Sequence, residues 1–209
     1  PAARKLQLNH PLNYLVVPYL RTLDGDAPLL SLLERHWPDL KQVSSRSYAI
    51  EGARVLGLID VDGGLTPQGA TVADLLHGVG FATKSRPAKR SRLADAAPAV
   101  AAVARAVLLG QPAVNLVIET LRRTPGGSLG IVALLDAAAR RDKMLACALF
   151  LRDPEQDLSR PFSPSDFRLA TVFQFKQVLW HAGILATKAH SGASGGAATY
   201  QPDSDEWQL

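Results

Sequence analysis

Apolar positions repeat with a helical period along most of this chain, and the exceptions are short and paired. Leu12, Leu15, Val16, Tyr19, Leu20 and Leu23 fall three or four residues apart. They follow Asn9-His10-Pro11, where a proline sits at a helix start and its missing N–H costs nothing. Asp24-Gly25-Asp26 breaks the pattern, and a second helix is predicted over residues 28–37 on Leu29, Leu30, Leu32 and Leu33. Ser44 or Ser45 is placed to cap a third helix. Its apolar side is Tyr48, Ala49, Ala53, Val55 and Leu56, and its polar side Arg46, Ser47, Glu51 and Arg54. Gly57 stops that helix, residues 58–61 and 65–66 read as short strands, and Asp62-Gly63-Gly64 is a tight-turn sequence between them. A closing helix is predicted over 70–76.

The second half repeats this order. Helices are predicted over 112–123, from a Ser128 cap to Arg141, and over 144–151, followed by a polar loop over 153–164. A helix of about 17 residues then begins at Asp166. Phe167, Ala170, Phe173, Val178 and Leu179 form its apolar side; Arg168, Thr171, Gln174, Lys176, Gln177 and His181 form its polar side. Gly183 closes it, and residues 184–188 are expected to pair with 198–201 across a glycine-rich tip. Between the halves, residues 98–109 are apolar nearly all round. Such a helix must be buried, either as a spacer within the chain or in a homodimer. The expected fold class is mainly α with small β-hairpins (α+β), divided as 1–83, a linker 84–110, and 111–209.

Charge sharpens this division. The 209 residues carry a net +4, but residues 1–83 hold −1, residues 84–109 hold +5 and residues 110–209 are neutral. The positive charge is therefore concentrated between the halves, in Lys84, Arg86, Lys89, Arg90 and Arg92. A basic segment between neutral domains reads as a phosphate-tracking element, or as a linker kept soluble by its charge. The single cysteine, Cys147, lies in an apolar run; it excludes an internal disulfide and a cysteine zinc site and reads as a small buried hydrophobe. No apolar stretch reaches the about 20 residues that cross a bilayer, and no signal-peptide pattern opens the chain. The expectation is a cytoplasmic protein with no membrane partner.

Residues 44–69, SSRSYAIEGARVLGLIDVDGGLTPQG, and residues 167–200, FRLATVFQFKQVLWHAGILATKAHSGASGGAATY, share a helix, a glycine stop and a ribbon. At 49–69 and again at 173–200 the chain resembles the winged helix-turn-helix superfamily. Its Leu-Gly-Leu, Asp-Gly and Leu-Thr-x-x-Gly run is the more specific part. The resemblance implies tandem winged-helix domains, each with a helix for the major groove of double-stranded DNA and a wing beside it. By position, Ser44, Ser45, Arg46, Ser47 and Arg54 would line the first reading helix. Arg168, Gln174, Lys176, Gln177 and His181 would line the second, with Lys188 on the second ribbon. Arginine pairs with guanine and glutamine with adenine, so these residue types suit base readout. The resemblance points to a transcriptional regulator or the recognition part of a DNA-processing or phage-defence system. Two features run against that reading, because Asp60 and Asp62 at the first tip and Asp203, Asp205 and Glu206 after the second would repel phosphates. They fit the alternative, a non-catalytic scaffold subunit whose winged helices bind partner proteins.

Catalytic patterns are missing. The glycines at 192, 195 and 196 are not followed by Gly-Lys-Ser/Thr, and no Gly-x-Ser-x-Gly elbow is present. The five histidines, at 10, 36, 77, 181 and 190, lack metal-ligand spacing, and the aspartate pairs lack the Glu-x-Lys companion of a magnesium nuclease. The expectation is a protein that is not an enzyme and has no cofactor or metal.

Overall fold

The computed structural model describes residues 10–83, 91–145, 151–153, 155, 157, 159–187 and 206–209; of Leu169, Ala170 and Glu206 it describes the backbone only. Among these residues the protein is mainly helical with two short antiparallel strands. The chain divides into two compact units. The first holds the described residues up to Leu108 together with His181–Gly183; the second holds Leu109–Trp180 and Ile184–Leu209.

The first unit is arranged around α1 (Pro11–Leu23), against which α2 (Leu29–His36), α3 (Val43–Val55) and α4 (Pro67–Gly78) all pack. Pro11 occupies the first turn of α1, and the Leu12 N–H donates to Nδ1 of His10 at the N-cap. Leu12 and every residue from Tyr14 to Leu20 are buried, so this helix has no solvent face over most of its length. Each leucine or valine so buried contributes about 1.5–3 kcal/mol. Helix α3 starts at Val43 with Gln42 as its N-cap, not at Ser44 or Ser45. Gly57 ends it at φ +71°.

The expected hairpin is reduced to one bridge, Ile59 with Leu65. Asp60 shapes its turn: Oδ1 accepts the N–H groups of Asp62 (2.9 Å) and Gly64 (2.7 Å). Thr66 then caps α4, its Oγ1 accepting from the Gly69 N–H at 2.9 Å. Helices α5 (Leu93–Ala96) and α6 (Pro98–Leu109) complete the unit. The apolar residues of α6 (Val100, Ala101, Val103, Ala104, Val107 and Leu108) are buried within the single chain, so covering them does not require a second copy.

In the second unit, α7 (Pro112–Arg122) packs on α8 (Ile131–Arg141). The sequence places the start of α8 at a Ser128 cap. Residues 128–130 instead form β1 (Ser128–Gly130), and the N-cap is Gly130. This strand pairs with β2 (Glu206–Gln208), Leu129 opposite Trp207. The Ala186 N–H donates to Gln208 O at 2.8 Å and the Gln208 N–H to Thr187 Oγ1 at 3.2 Å, so β2 lies between β1 and residues 186–187. The expected strand partner at 198–201 and the middle of the predicted 144–151 helix, with Cys147, lie outside the described residues. The helix expected from Asp166 is α9 (Leu169–His181), three residues shorter at its start. Ser163 and Asp166 cap a separate short turn there, and Phe167 bridges to Leu151. Arg160 and then the Ser163 N–H hold the Asp166 carboxyl down to about 2.

Two substitutions test this packing. A methyl group at Gly69 would lie 1.8 Å from the Leu58 carbonyl oxygen, a backbone atom that cannot swing aside, whereas one at Gly78 would meet nothing within 4 Å. Gly69→Ala should cost about 3 kcal/mol or more in urea denaturation, and Gly78→Ala on the same helix should gain a few tenths. A second test uses Tyr14, whose buried hydroxyl has no hydrogen-bond partner among the described residues and whose ionisation burial pushes far above the usual range. Tyr14→Phe removes that unpaired group, and the denaturation midpoint should hold or rise by about 1 kcal/mol; a clear fall would reveal a partner.

Candidate functional site

The first expected reading helix, α3, buries Ala49, Gly52, Ala53 and Leu56. These positions are spaced i, i+3, i+4, i+7, and the small residues among them, Ala49, Gly52 and Ala53, allow close packing on α1. The opposite face carries Ser44, Ser47, Tyr48, Glu51 and Val55. Tyr48 is 46% exposed and Val55 40%, which reverses the expectation that both face the core. A hydrophobicity pattern scores Gly52 as neutral, so it places the buried stripe about one residue off.

Both arginines of α3 are engaged inside the unit. Arg46 Nε donates to Leu40 O at 2.9 Å and its Nη1 to Glu34 Oε1 at 3.1 Å. Arg54 pairs with Glu51 Oε2 at 2.6 Å and donates to Asp60 O (3.2 Å) and Val61 O (3.3 Å), fastening helix to hairpin. Ser47 Oγ donates to Val43 O at 3.0 Å; Ser44 is exposed and Ser45 half-buried. The hairpin tip presents Asp60, Asp62 and Val61, the last 78% exposed. The outward face of α3 and its hairpin is therefore polar, apolar and acidic, with its two cations neutralised.

The second expected reading helix, α9, departs further. Lys176 is fully buried, and its Nζ lies 5.6 Å from the centroid of the Trp207 ring. The buried side of this helix includes Val172, Phe175, Lys176, Val178 and Leu179, while Phe173 is only half-buried. Lysine can occupy such a place because its stem is apolar and an aromatic face accepts its charge. His181 is also buried: its Nδ1 accepts the Leu93 N–H at 3.3 Å, and its ring lies 4.2 Å from that of His10. Neither side chain is presented to solvent, where the sequence places both. Arg168, Gln174 and Gln177 are half-buried, and none of the described side chains of α9 is fully exposed.

Of the basic segment, Lys84, Arg86, Lys89 and Arg90 lie outside the described residues, as do Lys188, His190 and the Asp203–Asp205 acids. Arg92 is described. Its Nη1 is 3.8 Å from Asp95 Oδ1, a long pairing with a carboxylate that is itself 70% exposed. Arg105, the lone charge of α6, is exposed, and its Nε donates to Ala182 O at 3.1 Å. Both guanidinium groups approach the turn at Gly183, which has φ +72°. A Cβ there would stand 2.7 Å from Arg105 Nη2 and 3.6 Å from Arg92 Nη2. In the sequence Arg105 stands out only as a single cation in an otherwise apolar helix, and it enters the reading above only through the net charge.

No family model, no curated protein and no solved structure matches this chain. Among the described residues, no group of three or more His, Cys, Asp or Glu side chains is placed to hold a metal ion. No single described helix is long and apolar enough to cross a membrane.

The burial of Lys176 predicts the outcome of its substitution. Lys176→Ala should lower stability by about 2 kcal/mol or more through the cavity it leaves, and Lys176→Met should recover most of that loss. Urea denaturation of both variants checks this. A fall in DNA affinity at unchanged stability would return Lys176 to the surface.

Proposed function

We propose that this chain is a non-enzymatic, tandem winged-helix protein that binds duplex DNA mainly through its phosphates. The order of elements supports the winged-helix part. In the first unit three helices are followed by a hairpin bridge and a closing helix. In the second, α7, β1, α8, α9, residues 184–187 and β2 follow one another, with β2 between the other two extended segments, which is the strand order of a winged helix. The observation that carries the DNA part is the concentration of +5 within residues 84–109 of a chain otherwise near neutrality. Base readout by the two helices has less support, because Lys176 and His181 are buried and Arg46 and Arg54 are held by their own unit.

One observation favours a second reading, a scaffold subunit that binds a partner protein through α3. Tyr48, Val55 and Val61 are exposed on a face without an unpaired cation, and such a face suits a neutral protein surface better than a polyanion.

Binding to random duplex DNA across a salt series tests the proposal. The full chain should bind with a steep slope. Replacing Lys84, Arg86, Lys89 and Arg90 with Gln should flatten it by about 0.9 log–log units for each phosphate that is no longer neutralised. Gln177→Ala should change neither affinity nor base preference. An unchanged slope in the quadruple variant would overturn the proposal. So would absence of DNA binding, and the scaffold reading would then stand in its place.

A further inference from the structure

We propose that the outward face of α3, with the hairpin tip beside it, is a homodimer interface on which a second copy of this chain docks its own α3 antiparallel to the first. This goes beyond the proposed function, which needs one chain only.

The apolar side chains of this face are the first observation. Val43 is 63% exposed in the first turn of α3, and Tyr48, Val55 and Val61 are exposed with it. These are four of the eleven large apolar side chains exposed among the described residues, and they share one helix and the turn fastened to it. Single exposed apolar side chains are ordinary, whereas a group on one element marks a contact surface. The face is also held in one shape. Arg54 ties the last turn of α3 to the tip through the carbonyls of Asp60 and Val61, and Arg21 Nε holds Gly63 O from α1 at 2.9 Å. A surface fixed before docking loses little freedom when it docks.

Charge selects the occupant. Lys41, two residues before α3, is exposed and pairs with no acid among the described residues. Asp39, two residues earlier, is engaged in a contact of its own. At the other end of the helix the tip presents Asp60 and Asp62, both exposed. The face is therefore basic at one end and acidic at the other. Two copies with parallel helices would set acid against acid. A two-fold axis at the level of Ala49, the middle of α3, instead sets the Lys41 end opposite the tip with Asp62 and Val43 opposite Val55. Each contact then occurs twice, as a two-fold interface requires. Ser47 falls opposite the Glu51–Arg54 pair; it is small, and its hydroxyl already donates to Val43 O, so no donor is lost there. The antiparallel arrangement also opposes the two helix dipoles. A 13-residue helix is about 20 Å long, which gives a face at the lower end of specific interfaces and hence a weak association.

The test is sedimentation of the full chain without DNA, from low micromolar to near-millimolar concentration, with thermal melts to confirm that each variant is folded. Wild type should pass from monomer to dimer over that range. Val61→Asp and Tyr48→Glu, both at exposed positions, should raise the dissociation constant by about tenfold or more. Lys41→Asp and Asp62→Lys should each weaken the dimer. The double variant Lys41→Asp/Asp62→Lys should recover wild-type association, because the exchange restores opposite signs across the two-fold axis. In about 1 M salt the two single charge variants should converge on wild type while Val61→Asp stays weak. A wild-type monomer at every concentration overturns the proposal. So does a dimer that Val61→Asp and Tyr48→Glu leave intact, since its contact lies on another face. A double variant no better than the two singles overturns the antiparallel pairing. No nucleic acid is present in these measurements, so their failure is distinct from failure of the DNA reading.

Discussion

The burial of α1 on all sides is the constraint from which the first unit follows. A helix whose residues from Tyr14 to Leu20 all lie inside must be surrounded, and α2, α3 and α4 are the elements within reach. That requirement sets the composition of its neighbours. Helix α3 meets α1 with Ala49, Gly52 and Ala53, and the start of α4 comes so close to the Leu58 carbonyl that only Gly69 fits. Once α3 is turned so that its small residues face inward, its larger ones, Tyr48 and Val55, are left outside. The surface character of the helix is therefore a result of core packing, and it makes a face that is poor in positive charge.

The same logic separates what is legible in the sequence from what is not. The helices with strong apolar periodicity, proline starts and glycine stops are legible: α1, α4, α6 and α7 lie within a few residues of expectation. The strand β1 is not, because three residues beside a good helix sequence carry no alternation of their own, and they become a strand only through β2, far away in the chain. The candidate site is less legible than the fold. Helical periodicity sends polar residues to solvent, yet Lys176 is covered by Trp207 and His181 serves a backbone N–H of Leu93. Hydrophobicity patterns record residue type along one helix; they do not record an aromatic ring or an unsatisfied amide brought from elsewhere.

Charge pairing decides which cations stay available for a partner. Arg46 and Arg54 each have a carboxylate and backbone carbonyls within reach, and both are drawn into the unit's own structure. Ion pairs near the surface add little stability, about 1 kcal/mol or less, so the main effect of these two is to orient the side chains and to remove net charge from the surface. Arg105 differs because a carbonyl fixes it and no acidic residue among those described answers it. Counting basic residues would rank all three alike, and their local partners distinguish them.

The pairing of Ser128 with Gln208 has a consequence for how the second unit is made. As the chain emerges from a ribosome, β1, α7 and α8 appear about 80 residues before the strand that completes them. During that interval the edge of β1 has no partner, and the pocket that Trp207 fills stands open. The first unit also waits, for His181–Gly183, but most of it is already synthesised and can collapse around α1. The two units should therefore mature on different schedules, the first ahead of the second, which makes the nascent second unit the part longest exposed to chaperones and proteases.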